Sequence, residues 1–232
     1  MHTEDRSIHF SMELLHAPAQ YRVPALQKLY FDLTQTRASY DSTDFSAPPQ
    51  FRFHSKRSAN TQSLALFLPD RLVLIEEWAD IPLSGFLDKV REIAPRVLQI
   101  IAQPCFLAQT VTLRSTFALT YFDDARVFLL DHACRQEGCI GPHFRRPIAV
   151  GGLRFVLPET PESRGVFHVI IESFRHDVKE VFVELKAIFG QQRIDRDDIE
   201  QAAANALEAR RFITDNIFPY LDQFDQPREA IS

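Results

Sequence analysis

Glycine is scarce in this 232-residue chain, at seven residues. That leaves little material for a phosphate-cradling loop, and no P-loop, dinucleotide-binding, G-x-S-x-G or H-E-x-x-H pattern occurs. Cysteine is scarcer still. Three cysteines, an odd number, suit reduced thiols better than a disulfide framework. Long apolar runs are missing: the longest stretches are broken by Gln99, Gln103 and Pro104, well short of a membrane span. Residues 1–7 are polar, without the apolar core of a secretory signal, so the expected setting is the cytoplasm with no membrane partner. Basic residues are outnumbered, 26 Lys and Arg against 31 Asp and Glu, for a net charge of −5. The basic footprint of a nucleic-acid binder is therefore lacking, and nucleic acid is not an expected partner.

Phenylalanine is abundant, at 20 residues against one tryptophan and two methionines. Stiff, large apolar rings read as core fillers of strands and helices. With 45% hydrophobic and 25% charged residues, the chain has the composition of a folded globular protein. Strict alternation of Ile8, Phe10, Met12 and Leu14 predicts a first strand. Pro24 then opens a helix carrying Leu26, Leu29, Tyr30 and Leu33. A weaker strand is expected over 37–44, and Phe51 and Phe53 begin another. The clearest hairpin pairs Leu64, Leu66 and Leu68 with 72–75 across the Pro69-Asp70 turn. After Pro82 the spacing of Phe86, Val90, Ile93, Val97, Leu98 and Ile101 predicts a helix, which Pro95 should kink or divide.

The second half repeats this order. Val111, Leu113, Ser115, Phe117 and Leu119 alternate along a strand, and Asp123-Asp124 suits the cap of a helix over 125–134. Strand-like runs follow at 148–157, 166–174 and 179–189, with Gly151-Gly152 read as a bulge. A long terminal helix is expected over 195–221, with Ile199, Ala203, Ala206, Ile213, Ile217 and Tyr220 as its buried stripe. The fold class is α+β: two similar strand–helix–antiparallel strands–helix units, a pseudo-duplicated arrangement ending in a long C-terminal helix. The first unit spans 8–103 and the second 104–224, with 1–7 and 225–232 expected to be flexible termini.

The order of elements, the Leu64-Ala65-Leu66-Phe67-Leu68-Pro69-Asp70-Arg71-Leu72 hairpin and the following Trp78 resemble a sporadically distributed family of uncharacterised bacterial proteins of about 250 residues. Its features include a mid-chain strand bearing an arginine, matched by Arg114, and a late helix ending near a Phe and a Thr-Asp pair, matched by Phe212, Thr214 and Asp215. The resemblance implies no activity. The element order also resembles the TATA-binding-protein-like repeat, which implies an architecture and nothing more.

The sharpest chemical cluster is His132, Cys134, Cys139 and His143. Two thiols and two imidazoles within twelve residues supply the ligand types of a tetrahedral zinc site, although the C-x4-C spacing departs from the usual C-x2-C. His168 and Glu172 share a strand face, and His176 precedes Asp177; either pair has the residue types of a general base. Arg52, His54, Lys56 and Arg57 beside Phe51 and Phe53, and Arg145, Arg146 and Arg154 near Phe144, have the interleaved character of single-strand binders. In an acidic chain they read better as a solvated, charge-protected strand edge.

No catalytic constellation and no cofactor loop emerges. The leading expectation is a non-enzymatic binding protein that engages a macromolecular partner, most simply another protein. The alternative is a small apolar ligand held between a curved sheet and the terminal helix; a third reading is metal binding through the 132–143 segment. Self-association as a homodimer through a sheet edge is compatible with the first.

Overall fold

A computed structural model describes residues 6–78, 80–136 and 139–227. In chain order the strands are β1 (Arg6–Leu15), β2 (Ser42–Ala47), β3 (Gln50–Lys56), β4 (Gln62–Leu68), β5 (Arg71–Glu77), β6 (Cys105–Phe106), β7 (Ala108–Ala118), β8 (Gly152–Leu157), β9 (Val166–Ser173), β10 (Glu180–Phe189) and β11 (Ile194–Asp195). The α-helices are α1 (Val23–Leu33), α2 (Leu83–Ile100), α3 (Ala125–Val127), α4 (Ile140–Phe144), α5 (Glu200–Phe212) and α6 (Phe218–Asp222). The class is α+β, built around an antiparallel sheet.

Nine strands form that sheet in the order β2-β3-β4-β5-β1-β7-β10-β9-β8, and β6 pairs with β11 beside it. The central pair is β1 with β7, one strand from each half of the chain, with Met12 opposite Val111. Reading outward, β5, β4, β3 and β2 follow on one side and β10, β9 and β8 on the other.

Alternation decides which side of the sheet meets the helices. Phe10, Met12 and Leu14 of β1, Val111 and Leu113 of β7, and Val181, Val183 and Leu185 of β10 all join one core with Leu26 of α1, Phe86 and Val90 of α2, Phe128, and Ala202 and Ala206 of α5. Seven phenylalanines, Phe10, Phe53, Phe67, Phe86, Phe106, Phe128 and Phe189, are fully buried. Truncating any one to alanine is expected to cost about 3–5 kcal/mol, from lost transfer energy and the cavity left behind. The helical face of the sheet thus carries the main core.

Several local expectations need correction. The strand expected at 37–44 lies later, at β2; Ala38 and Tyr40 are instead buried loop residues, with Tyr40 packed 6.0 Å from the Phe53 ring. Pro95 neither divides nor ends α2, which runs unbroken through 18 residues. The helix expected at 125–134 begins as α3, with the Asp124 carboxylate accepting from the Arg126 amide, and then widens into a π-helical turn at Phe128–Ala133. The terminal helix is not one rod either: a 3-10 turn at Arg196–Asp198 leads into α5, and a π-helical turn at Ile213–Ile217 separates α5 from α6. Ala203, Ala206, Ile213 and Ile217 are buried as expected, but Ile199, the capping residue between the 3-10 turn and α5, is half-buried, and Tyr220, beyond the widened turn that rotates the stripe, is exposed.

The glycine pair is not a bulge. Gly152 opens β8, and a Cβ there would lie 2.1 Å from the Ile171 carbonyl oxygen, so close backbone approach is what the residue allows. At the ends, Arg6 and Ser7 already belong to β1, and Asp225 is buried, accepting from the amides of Thr120 and Tyr121 at 2.8 and 2.9 Å. Residues 1–5 and 228–232 of the expected flexible ends lie outside the described residues. No described helix is long and apolar enough to cross a membrane.

Candidate functional site

Each residue on the uncovered sheet face is placed by strand register. At the centre Glu77, His9, Arg114 and Glu184 stand side by side on β5, β1, β7 and β10. His9 Nδ1 lies 2.6 Å from Glu77 Oε2, and Arg114 Nε donates to Glu184 Oε2 at 2.6 Å. Burial holds the His9 pKa below its ordinary value, against the opposing pull of Glu77. The row is therefore self-paired. Apolar residues flank it: Leu64, Leu66, Val73 and Ile75 on β4 and β5, and Ile170, Phe182 and Ile188 on β9 and β10.

The two edges of the sheet differ. β2 is largely polar; its Asp44 carboxylate accepts from Ser46 and pairs with Arg52 at 2.9 Å, and its ladder is interrupted between Asp44 and Ala47. Such an edge is protected against pairing. β8 is the opposite case. Phe155, Val156 and Leu157 are 39, 55 and 36% exposed, and they point alternately to both faces of the last strand in the sheet.

Beneath the helices lies a polar cluster that the sequence reading missed. Ser63 and Glu76 face each other across β4 and β5, and Lys89 reaches them from α2. Lys89 Nζ lies 2.5 Å from Glu76 Oε1 and donates to Ser63 Oγ at 2.8 Å, while Ser63 donates to Glu76 at 2.6 Å. The same ammonium sits 5.2 Å from the Tyr40 ring centre, and burial, followed by the Glu76 charge, pushes the Tyr40 pKa far up. A serine beside a lysine has the ingredients of an activated nucleophile. Here the lysine is ion-paired, the hydroxyl is committed to Glu76, and all three residues are buried, so the cluster reads as a satisfied core ion pair. The available signal was polar residues at inward positions of an apolar hairpin and an apolar helix stripe.

The Cys/His segment is only partly gathered. Cys139 and His143 stand one turn apart, at the N-cap and in the last turn of α4, joined by the His143 amide to Cys139 carbonyl bond. The His132 ring packs on Phe122 at 4.5 Å, and burial pushes the Cys134 thiol pKa up. Among the described residues no group of three or more His, Cys, Asp or Glu side chains is arranged to hold a metal ion. His168 and Glu172 do share the uncovered face, where Ile170 stands between them. The basic cluster around Phe51 is largely neutralised: Arg52 pairs with Asp44, Arg57 pairs with Asp80 at 2.7 Å, and His54 bonds Ser42 at 2.8 Å. Arg145, Arg146 and Arg154 are exposed.

Small residues of the terminal helix face the sheet where a ligand space was expected. Ala202, Ala203, Ala206 and Ala209 are buried, and the Gln109 amide on β7 donates to the Ala202 carbonyl at 2.9 Å. Compared with known proteins, the chain matches no protein-family model and no curated sequence.

Proposed function

We propose that this is a non-enzymatic binding protein, working in the cytoplasm, that takes an extended segment of a protein partner onto the free edge of β8. One observation carries the reading: the last strand of the sheet exposes apolar side chains on both faces, whereas the other edge is polar, interrupted and ion-paired. A strand with unpaired amides and carbonyls on one side adds a partner strand readily, and side-chain contacts on alternating residues give selectivity.

The sheet order supports a related reading, in which the two halves are diverged copies of a TATA-binding-protein-like repeat. β1, β5, β4 and β3 take the same places on one side of the centre as β7, β10, β9 and β8 on the other. In that correspondence β3 carries β2 on its outer side, and the position beside β8 is the one a partner would complete.

The test is site-dependent association. Val156→Lys places a charge on the β8 edge, while Phe31→Lys alters an apolar side chain on α1 that is more exposed still. Partner capture from a lysate of the source cell, or self-association in sedimentation, should be lost with Val156→Lys and kept with Phe31→Lys. The partner should also slow hydrogen exchange of the 152–157 amides. A dimer that Val156→Lys dissolves identifies the partner as a second copy. Association indifferent to Val156, or none by either method, overturns the reading.

A further inference from the structure

A separate pocket of about 570 Å³ opens at the start of β1 and β10 and the end of β5, on the uncovered side, and its lining includes no residue of β8. Its lining includes Arg6, Trp78, Phe174, His176, Asp177 and Glu180. The size is that of a small-molecule site.

Its wall is aromatic. The Trp78 ring lies 6.4 Å from Phe174 and 6.1 Å from His176, and Phe174 continues into a nearly parallel stack with Phe182, at 6.1 Å and 9° between planes. Trp78 has φ of 48°, in the left-handed region that a bulky side chain rarely adopts. Strain of this kind persists where the surroundings hold a side chain in a required place. The ring already attracts a cation of this chain: the Arg6 guanidinium carbon is 5.9 Å from its centre.

The second observation is an unused acceptor. Glu180 Oε2 is buried and has no hydrogen-bond partner. Thr116 Oγ1, on the strand position opposite Arg6, is buried and unpartnered as well. A carboxylate oxygen withdrawn from water without a donor is costly, and a ligand N–H supplies what it lacks. The lining carboxylates Glu180 and Asp177 outnumber the single guanidinium of Arg6, so a net negative wall faces the opening.

We infer that this pocket binds a flat organic cation, an aryl amidinium or protonated amino-heterocycle, which stacks in the aromatic wall and donates N–H to Glu180 Oε2. The site lies apart from the β8 edge and does not depend on it. Anions are disfavoured, since the lining carboxylates Glu180 and Asp177 outnumber the one guanidinium.

The chain holds one tryptophan, so emission excited at the red edge, where its five tyrosines do not absorb, reports on the surroundings of Trp78. Benzamidine is the probe, with benzyl alcohol and benzoate as flat controls that lack the cation. Benzamidine should change the emission saturably and raise the melting temperature of the full chain, since a ligand that binds only the native state stabilises it. Glu180→Gln should weaken binding about tenfold or more, as expected for loss of one charge-assisted hydrogen bond. Glu180→Asp, which keeps the charge and shortens the reach, should fall between. No saturable change into the millimolar range, equal response to the controls, or undiminished binding by a folded Glu180→Gln protein overturns the assignment.

Discussion

Lys89, set among Phe86, Val90 and Ile93 on α2, holds its ammonium against Glu76 and Ser63 in surroundings otherwise apolar. Removing one member of such a pair leaves the other charge buried and uncompensated, which costs about 3–5 kcal/mol. Lys89→Met should therefore destabilise by about that amount in urea unfolding. The double variant Lys89→Met with Glu76→Leu should recover most of the loss, because both desolvated charges are gone. A double variant no more stable than the single would show that the pair is worth more than its burial costs. At this scale the sequence was partly legible. The inward residues of β1 could be named from alternation alone, because every second residue must face the core. The His9–Glu77 and Arg114–Glu184 contacts could not, since they depend on which strands become neighbours.

Whole elements show where periodicity succeeds and where it stops. The 64–75 hairpin and the strand now called β10 follow the expected spans closely, since each alternates without interruption. The π-helical turns at Phe128–Ala133 and Ile213–Ile217 were not legible: one extra residue per turn changes the backbone path without a distinctive side chain. β8 is positioned by a feature that is not a pattern at all, the absent Cβ of Gly152 beneath the Ile171 carbonyl. Gly152→Ala forces backbone against backbone, so the start of β8 should detach from β9. The expected loss is about 1–3 kcal/mol in urea, as for a change that strains a close contact. Faster hydrogen exchange should be confined to 152–157 and its partners on β9. Unchanged stability and exchange would show that the strand slides without cost.

For the molecule as a whole, acid sensitivity should begin near neutrality. Burial lowers the pKa of both His9 and His16 below 6.5 in the native state, the latter with Nε2 bonded to the Tyr21 hydroxyl at 2.9 Å. Above pH 6.5 both states leave these rings neutral and nothing is lost. As pH falls below 6.5 the unfolded chain takes up protons that the native rings resist, so stability declines down to the native pKa values. The carboxylates of Asp44, Asp70 and Asp124 are held below 3.8 by their partners, so their window lies lower. Urea midpoints from pH 8 to pH 5 should fall, and the double variant His9→Gln with His16→Gln should flatten that fall. A flat profile for the unaltered chain would mean that both rings charge freely when folded. The α+β class was readable from element order, but the joining of both halves through their first long strands was not, because it is a long-range choice among many open edges.

That joining has a consequence in time. His9 meets Arg114, about a hundred residues further along the chain. At synthesis rates of about 5–20 residues per second, β1 leaves the ribosome roughly 5–20 s before its central neighbour exists. Through that interval the strand that ends in the middle of the sheet is an open edge, and the nascent first half must be kept from other chains until the second arrives.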